Sequence, residues 1–155
     1  FRQMSKPPPH VHLSIKSNFT NVELVQIVVE EALKQLNLLE NDAHWVGIAV
    51  REAVANAVKH GNRQDPEKKV EIDFGVEGDE VVIKVADEGV GFDPGGVDDP
   101  LAPENMLRSS GRGIYYMKQF MDHIDYSFRP DGGTEVTMRK SINSSTDASE
   151  EKEEE

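Results

Sequence analysis

The residues best suited to chemistry lie in three short segments, at positions 52–56, 87–92 and 111–114. The first offers a carboxylate and an amide from Glu52 and Asn56, the second an acid followed by two glycines, and the third a pair of glycines. A carboxylate can act as a general base, an amide oxygen can ligate Mg²⁺, and glycines that open a helix leave backbone N–H groups free for phosphate. In this order, the three segments predict a pocket for Mg-ATP.

Glu52, Asn56 and His60 are spaced four residues apart in a segment whose apolar residues recur at helical spacing. Residues four apart on a helix project from nearly the same face. We therefore expect Glu52 to accept a proton from an attacking hydroxyl or water, Asn56 to ligate Mg²⁺, and His60 to continue the row beside the nucleotide. The same spacing also occurs on the polar flank of an ordinary helix, so the pair indicates a site only together with the other segments.

The second segment places an acid at the end of a predicted strand. Asp87 could accept a hydrogen bond from the exocyclic amine of adenine, a donor that guanine lacks at that position. Gly89 and Gly91 permit positive φ angles and a close approach of the backbone to a flat base. Thr134, which follows a glycine pair later in the chain, could add a hydroxyl near the base. An ordinary glycine-containing turn is the alternative interpretation.

The third segment has the glycine pattern of a phosphate-binding helix start. Gly111 and Gly113 flank Arg112 just before a predicted helix, whose free N–H groups and dipole attract phosphate. Either Arg112 or Arg108 could add a charge-assisted contact, and the sequence leaves this choice open. Without the other segments, the glycine pair would indicate only a flexible junction.

Hydrophobic periodicity predicts the strands that carry these segments. Apolar residues alternate with polar ones at 11–15, 70–76 and 81–85, and a glycine-containing turn separates the last two stretches. A hairpin through residues 130–133 joins two further strands. Residues 88–110 show no sustained period and are predicted to form a long loop, of the kind that is usually either a functional lid or disordered.

The first of three predicted helices begins at a capping box formed by Thr20 and Glu23 and extends to about Leu39. Its apolar residues recur at helical spacing and should face the core. They are Val22, Val25, Val28, Val29, Ala32, Leu33 and Leu36.

The second predicted helix begins near Asn41 or Asp42, stops at Gly61, and packs Trp45 into the core near its start. A third helix should follow from about Gly113. Its inward residues are expected to be Ile114, Met117, Phe120 and Met121. Together these elements predict helices on one face of a mainly antiparallel sheet.

Composition narrows the class of protein. The chain has 155 residues, 37% of them hydrophobic, and no apolar stretch of membrane-spanning length, which predicts one domain with a single core and no membrane span. The formal charge of −12 argues against binding to nucleic acid. With no cysteine and no charged-then-apolar leader, a cytoplasmic location is expected. His10 and His12 are predicted to be surface residues, because no carboxylate or cysteine partner for a metal is evident.

The chain divides into a flexible lead at residues 1–10, a folded domain at 11–140 and a disordered acidic tail at 141–155. The tail is rich in Ser, Asn, Thr and Glu. It has too little apolar surface to offset the entropy of ordering it.

With all three segments in this order, the chain resembles the GHKL ATPase superfamily over about residues 13–139. Residues 51–61 and the closing segment 133–138 look most like the anti-sigma-factor serine kinases of bacterial partner-switching systems. The resemblance implies an α/β (α+β) fold of the Bergerat type, a two-layer sandwich with helices on one face of a mainly antiparallel sheet.

The resemblance also implies roles for the candidate residues. Glu52 would be the catalytic base, Asn56 would hold Mg²⁺ and Asp87 would bind adenine, with ATP and Mg²⁺ as the cofactors. The glycines that would shape the pocket are Gly89, Gly91, Gly111 and Gly113. One departure concerns an arginine that family members often carry close before the third segment, because Arg108 lies three residues ahead of Gly111.

Kinases of this kind hold a sigma factor inactive and phosphorylate a serine or threonine on a small anti-anti-sigma protein with a STAS domain. The unphosphorylated form of that protein captures the kinase and frees the sigma factor. The resemblance therefore implies both partners, and also a homodimer formed through the sheet, as is common among family members.

Two other functions stay open. A nucleotide-binding module that sequesters a partner without transferring phosphate would suit the shifted arginine. The catalytic domain of a histidine kinase is disfavoured, because the first predicted helix contains no histidine.

Overall fold

The computed structural model describes residues 7–38, 40–89, 117–130 and 132–142. These residues form a five-stranded sheet with two helices packed on one face. The strands are β1 (Val11–Lys16), β2 (Lys69–Glu77), β3 (Glu80–Ala86), β4 (His123–Phe128) and β5 (Thr134–Ser141). The helices are α1 (Phe19–Lys34) and α2 (Glu40–Asn56), and a π-helical turn at Ala57–Gly61 follows α2 directly. Residues 117–120 are also helical.

The sheet is antiparallel throughout and has the strand order β1-β2-β3-β5-β4. Ile72 of β2 lies opposite Leu13 of β1 and Val85 of β3, and Ile83 of β3 lies opposite Met138 of β5. Because successive side chains in a strand point to opposite faces, these residues share the face that packs against the helices. The strands predicted from the alternating pattern are thus confirmed.

The core lies between the sheet and the two helices. Its largest fully buried side chains include Phe74 from the sheet and Leu33 from α1. Burial of one such side chain contributes roughly 1.5–3 kcal/mol. The apolar stripe predicted for the second helix is confirmed, since all of its members are buried: Val46, Ala49, Val50, Ala53, Val54, Ala57 and Val58.

The N-terminal end of α1 differs from the prediction. Its N-cap is Asn18, whose side chain accepts a hydrogen bond from the backbone N–H of Thr20 at 3.0 Å. Asn18 has the extended backbone of a cap residue (φ −136°, ψ 132°), whereas Thr20 already lies in the first helical turn. The capping box predicted for Thr20 and Glu23 is therefore wrong.

The C-terminal end of α1 also comes earlier than predicted. The N–H groups of Leu36 and Asn37 donate to the carbonyls of Leu33 and Lys34, three residues back. Asn37 then adopts a left-handed conformation with φ of 59°. Bonds that tighten the last turn, followed by a left-handed asparagine, end a helix. The predicted extension to about Leu39 is therefore too long.

Two side chains expected in the core lie at the surface. Val28 is 36% exposed, and the buried residues of α1 are Val22, Val25, Val29, Ala32 and Leu33. Trp45 is 40% exposed and stacks on Phe120, with ring centroids 4.7 Å apart and planes 16° from parallel. Trp45 thus packs on the helical residues 117–120 at the surface, while Met117 and Met121 are buried as predicted.

His10 and His12 lie on the sheet face away from the helices, and both are exposed. His10 Nε2 lies 3.2 Å from Asp73 Oδ1, and His12 Nε2 lies 2.7 Å from Glu71 Oε2. The sequence did not reveal these carboxylate partners, because the pairing of β1 with β2 brings them close from some 60 residues away. Nevertheless, no group of three His, Cys, Asp or Glu side chains within the described ranges could hold a metal ion.

The last strand continues past residue 140, where the predicted domain ended. β5 includes Ser141, and the N–H of Ile142 donates to the carbonyl of Asp79 at 2.8 Å. The predicted tail from residue 143, the loop from residue 90 and the predicted start of the third helix lie outside the described residues. Within the described ranges, no helix has both the length and the apolar character needed to cross a membrane.

Candidate active site

A buried carboxylate stands at the end of the central strand β3. Asp87 follows Ala86, the last residue of β3, and is only 6% exposed. Its Oδ1 atom accepts hydrogen bonds from the backbone N–H groups of Gly89 at 2.9 Å and Thr134 at 3.0 Å. Its own N–H donates to the carbonyl of Thr134 at 2.9 Å. The turn after β3 and the start of β5 therefore hold one oxygen of this carboxylate in place.

Burial raises the pKa of Asp87, because the charged form loses its hydration. The N–H groups of Gly89 and Thr134 oppose this effect, as do the positive charges of Arg129 and Lys68. In the described part of the chain, Oδ2 accepts no hydrogen bond. Buried carboxylate oxygens usually have donors, so Oδ2 is suited to receive one from a bound molecule.

Three glycines from different elements pack around this carboxylate. A Cβ atom on Gly61 would overlap Asp87 Oδ2, one on Gly89 would overlap the carbonyl of Gly61, and one on Gly133 would overlap the carbonyl of Asp87. Gly133 also has a positive φ of 92°. The close backbone approach that surrounds Asp87 thus depends on the absence of side chains at these positions.

We expect Gly133→Ala to destabilise the fold more than Gly78→Ala does. Both glycines have positive φ, so both substitutions carry backbone strain of roughly 1 kcal/mol or more. Only the Cβ at position 133 would also meet backbone, because nothing lies within 4 Å of a Cβ at position 78. This overlap should add about 1–3 kcal/mol, measured as the difference in unfolding free energy by urea denaturation. Equal losses for the two variants would contradict the tight packing around Asp87.

Glu52 and Asn56 lie in the C-terminal part of α2, both partly exposed beside the buried stripe. The α-helical pattern ends at Asn56 and gives way to the π-helical turn, in which the N–H of Asn62 bonds to the carbonyl of Ala57 at 2.8 Å. His60 is exposed within this wider turn. The π-helical turn thus begins directly after Asn56, and the place of His60 in the predicted row stays a prediction. Such turns occur frequently at functional sites.

Several predicted site residues lie outside the described part of the chain. They are Gly91, Arg108, Gly111, Arg112 and Gly113. Their roles stay predictions, as do those of Glu52, Asn56, His60 and Asp87. Thr134 reaches Asp87 through its backbone N–H, whereas the sequence suggested a role for its hydroxyl.

Sequence reasoning missed three residues that shape this site. The sequence patterns predict a helix stop at Gly61 and a hairpin at Gly133, within segments that carry the family resemblance, and they indicate no contact of either glycine with Asp87 and no role for Asn62. Asn62 is 1% exposed, and its Oδ1 accepts the N–H of Glu88, next to Asp87, at 2.8 Å. The available signal was position, because Gly61 and Asn62 directly follow the segment that carries Glu52 and Asn56.

The chain is an α/β domain in which two helices back an antiparallel sheet and a buried carboxylate stands at the end of the central strand. The chain belongs to the histidine kinase-like ATPase domain family, whose sequence profile matches residues 15–140.

Named relatives indicate which members of this family the chain is similar to. An anti-sigma F factor from Oceanobacillus iheyensis is 32% identical over 137 residues, which cover 86% of this chain and 92% of the relative. A protein named serine-protein kinase RsbW from Bacillus licheniformis is 28% identical over 149 residues, or 90% of each chain. The predicted similarity to GHKL ATPases, and within them to anti-sigma-factor kinases, is therefore confirmed.

A solved structure of the RsbU and RsbW domains of a Mycobacterium tuberculosis protein has the same fold. Its TM-score is 0.64 at 19% identity, and the match covers 86% of this chain and 32% of that one. A blue-light activated histidine kinase from Erythrobacter litoralis matches over 70% of this chain and 33% of its own, with a TM-score of 0.54 and 19% identity. The predicted two-layer fold is confirmed.

Proposed function

We propose that this protein is a serine/threonine protein kinase that uses Mg-ATP and also acts as an anti-sigma factor. Its phosphate acceptor would be a small anti-anti-sigma protein with a STAS domain. The observation that carries the proposal is the buried Asp87 carboxylate, with Oδ1 held by two N–H groups, in a chain whose relatives are named anti-sigma F factor and serine-protein kinase RsbW. Because a sigma factor acts where transcription occurs, a cytoplasmic location is part of this proposal.

Adenine is the base that suits Asp87. Its exocyclic amine donates a hydrogen bond, whereas guanine presents an acceptor at that position. An ionised carboxylate can only accept, so it favours adenine and repels guanine there. The lack of side chains on Gly61 and Gly89 lets the backbone pack closely around the carboxylate, which keeps it in place for such a contact.

Asn56 suits the role of a Mg²⁺ ligand. In phosphate sites, Mg²⁺ commonly takes one or two protein oxygens together with waters and phosphate oxygens. A single amide oxygen on α2 therefore suffices, and a cluster of three protein ligands is not required. When bound, Mg²⁺ would supply positive charge that offsets the charge of the phosphates.

Glu52 is proposed as the general base. It would take the proton of the acceptor's serine or threonine hydroxyl while the hydroxyl oxygen forms a bond to the γ-phosphorus. The bond from that phosphorus to the β–γ bridging oxygen breaks, and ADP carries the bridging oxygen away. Glu52 is suited to this because it projects from α2 one helical turn before Asn56, beside the proposed metal ligand.

We expect Asn56→Ala to raise the Mg²⁺ concentration needed for half-maximal ATP binding. Loss of one ligand worth about 1.4 kcal/mol would raise it by roughly tenfold. Isothermal titration calorimetry with ATP at graded Mg²⁺ concentrations measures this. Asn41→Ala, an exposed asparagine near the start of the same helix, is the matched control and should behave as wild type. An unchanged Mg²⁺ requirement in Asn56→Ala would remove Asn56 from the metal site.

The kinase proposal is tested by incubating the protein with Mg-ATP in lysate of its own host, recovering it with bound proteins, and mapping phosphosites by mass spectrometry. We expect phosphoserine or phosphothreonine on a small STAS-domain protein. Bound partners that carry no phosphate would favour the alternative function, a module that sequesters a partner without phosphotransfer. The unusual position of Arg108 in the sequence is the feature that suggests this alternative. Phosphohistidine on a co-purified protein would instead indicate a histidine kinase.

A further inference from the structure

Asn62 joins four segments of the fold through its buried side-chain amide and its backbone N–H. Its Nδ2 donates to Ser17 Oγ, just after β1, at 2.7 Å, and to the carbonyl of Lys69, at the start of β2, at 2.9 Å. Its Oδ1 accepts the N–H of Glu88, beyond the end of β3, at 2.8 Å. Its own N–H closes the π-helical turn after α2 on the carbonyl of Ala57. Donors and acceptor of this amide are thus all engaged within the protein.

The contact to Glu88 bears directly on Asp87. The peptide N–H held by Asn62 is the one that immediately follows Asp87, and Lys69 N–H also donates to Glu88 Oε2 at 2.7 Å. These two bonds fix the direction of the backbone as it leaves β3. The next N–H, from Gly89, turns back to Asp87 Oδ1. The orientation of the carboxylate therefore depends on a turn that Asn62 holds.

The residue before Asn62 makes the second connection. Gly61 lies so close to Asp87 Oδ2 that a Cβ atom there would overlap it. Two consecutive residues at the end of the π-helical turn thus contact both the side chain of Asp87 and the peptide that follows it. Through that turn they are continuous with α2, which carries Glu52 and Asn56.

We infer that Asn62 is a positioning residue for adenine recognition. It holds Asp87 in a fixed position relative to the helix that carries Glu52 and Asn56. This inference rests on the proposed function. Asn62 itself would not touch the nucleotide. It acts by fixing the turn at residues 87–89 against the end of α2. The carboxylate that selects the base and the α2 residues proposed for phosphate chemistry therefore keep a fixed position relative to each other.

The test compares the affinities of Asn62→Ala for ATP and for GTP by calorimetry. If the turn shifts, the hydrogen bond to the adenine amine is lost, and ATP affinity should fall by roughly tenfold or more. GTP cannot make this bond, so its affinity should stay nearly unchanged and the ATP/GTP preference should collapse. A residue that only stabilises the fold would not change this preference.

Ser17→Ala is the matched control. It removes the hydroxyl that accepts from Asn62 and donates to the carbonyl of Lys68 at 2.8 Å, but it leaves the bond between Asn62 and Glu88 intact. We expect Ser17→Ala to lower the melting temperature and to keep the wild-type ATP/GTP preference.

A folded Asn62→Ala protein that retains the wild-type preference would overturn the inference. If that variant does not fold, Asn62→Ser decides by the same criterion, since its shorter side chain cannot reach Glu88 N–H yet can hydrogen-bond to water. A wild-type protein that binds GTP as well as ATP would instead overturn the proposed adenine contact, and the inference with it.

Discussion

Glu52→Ala should lose phosphotransfer and keep ATP binding. Removal of a general base typically lowers the rate by about 10²–10⁴-fold, whereas a side chain that does not touch the nucleotide should change ATP affinity by no more than about threefold. Single-turnover transfer from labelled ATP to the purified acceptor measures the first quantity, and calorimetry measures the second. A large loss of transfer rate with an unchanged ATP affinity identifies Glu52 as a general base.

Two variants sharpen this experiment. Glu52→Gln keeps the size of the side chain but cannot accept the proton, so it should be as inactive as Glu52→Ala. Glu31→Ala removes an exposed carboxylate from α1 and should transfer phosphate at the wild-type rate. Because Glu52 is partly exposed, its substitution should change the unfolding free energy by no more than about 0.5 kcal/mol. Wild-type transfer by Glu52→Gln would assign the proton to another acceptor.

The secondary structure was predictable where one pattern dominates. Strand β2 alternates between buried and partly exposed residues over positions 70–74, β3 is rich in buried β-branched residues, and the stripe on α2 repeats without a gap, so the apolar pattern predicts these elements. The start of α1 was not predictable in the same way, because Asn18 and Thr20 are both good caps within two residues. The bond from Asn18 N–H to the carbonyl of Lys16 turns the chain there and selects Asn18 as the cap.

The residues of the candidate site also differ in whether a local sequence pattern could suggest them. The sequence suggests Glu52, Asn56 and Asp87 as candidates because their side chains could carry the chemistry, and their roles stay predictions. Gly61 and Gly133 could not be suggested in this way, because their role is a backbone approach between segments that are distant in the sequence. Local patterns carry no information about such contacts, which arise only when α2, β3 and β5 are packed together.

The π-helical turn after α2 could not be predicted from the sequence either. Ala57 and Val58 fit the apolar stripe of an α-helix, so periodicity predicts that the helix simply continues to Gly61. The bond from Asn62 N–H to the carbonyl of Ala57, five residues back, shows the wider turn. The burial of the Asn62 amide, which pairs with Ser17, Lys69 and Glu88, accompanies this change in pitch.

Asp87→Asn should weaken ATP binding by roughly ten- to a hundredfold, the range expected for a lost hydrogen bond to a charged group. The asparagine Oδ1 can still accept from Gly89 and Thr134, which directs the NH₂ group toward the adenine amine and sets two donors against each other. Calorimetry with ATP measures the loss. Asp73→Asn, which removes an equal charge from the opposite face of the sheet, should bind ATP as wild type does.

The same substitution should change how stability depends on pH. Burial raises the pKa of Asp87, so the folded protein binds this proton more tightly than the unfolded chain does. The resulting destabilisation is absent below the ordinary aspartate pKa, grows as pH rises through the window between the unfolded and folded values, and is complete above it. Subtracting the unfolding free energy of Asp87→Asn from that of wild type should therefore give a difference that falls as pH rises through this window. If this difference does not vary with pH and the ATP affinity is unchanged, Asp87 is an ordinary turn residue. If ATP binding is weaker and the difference falls with pH as expected, the free-energy cost of burying this carboxylate is linked to its role in selecting the base.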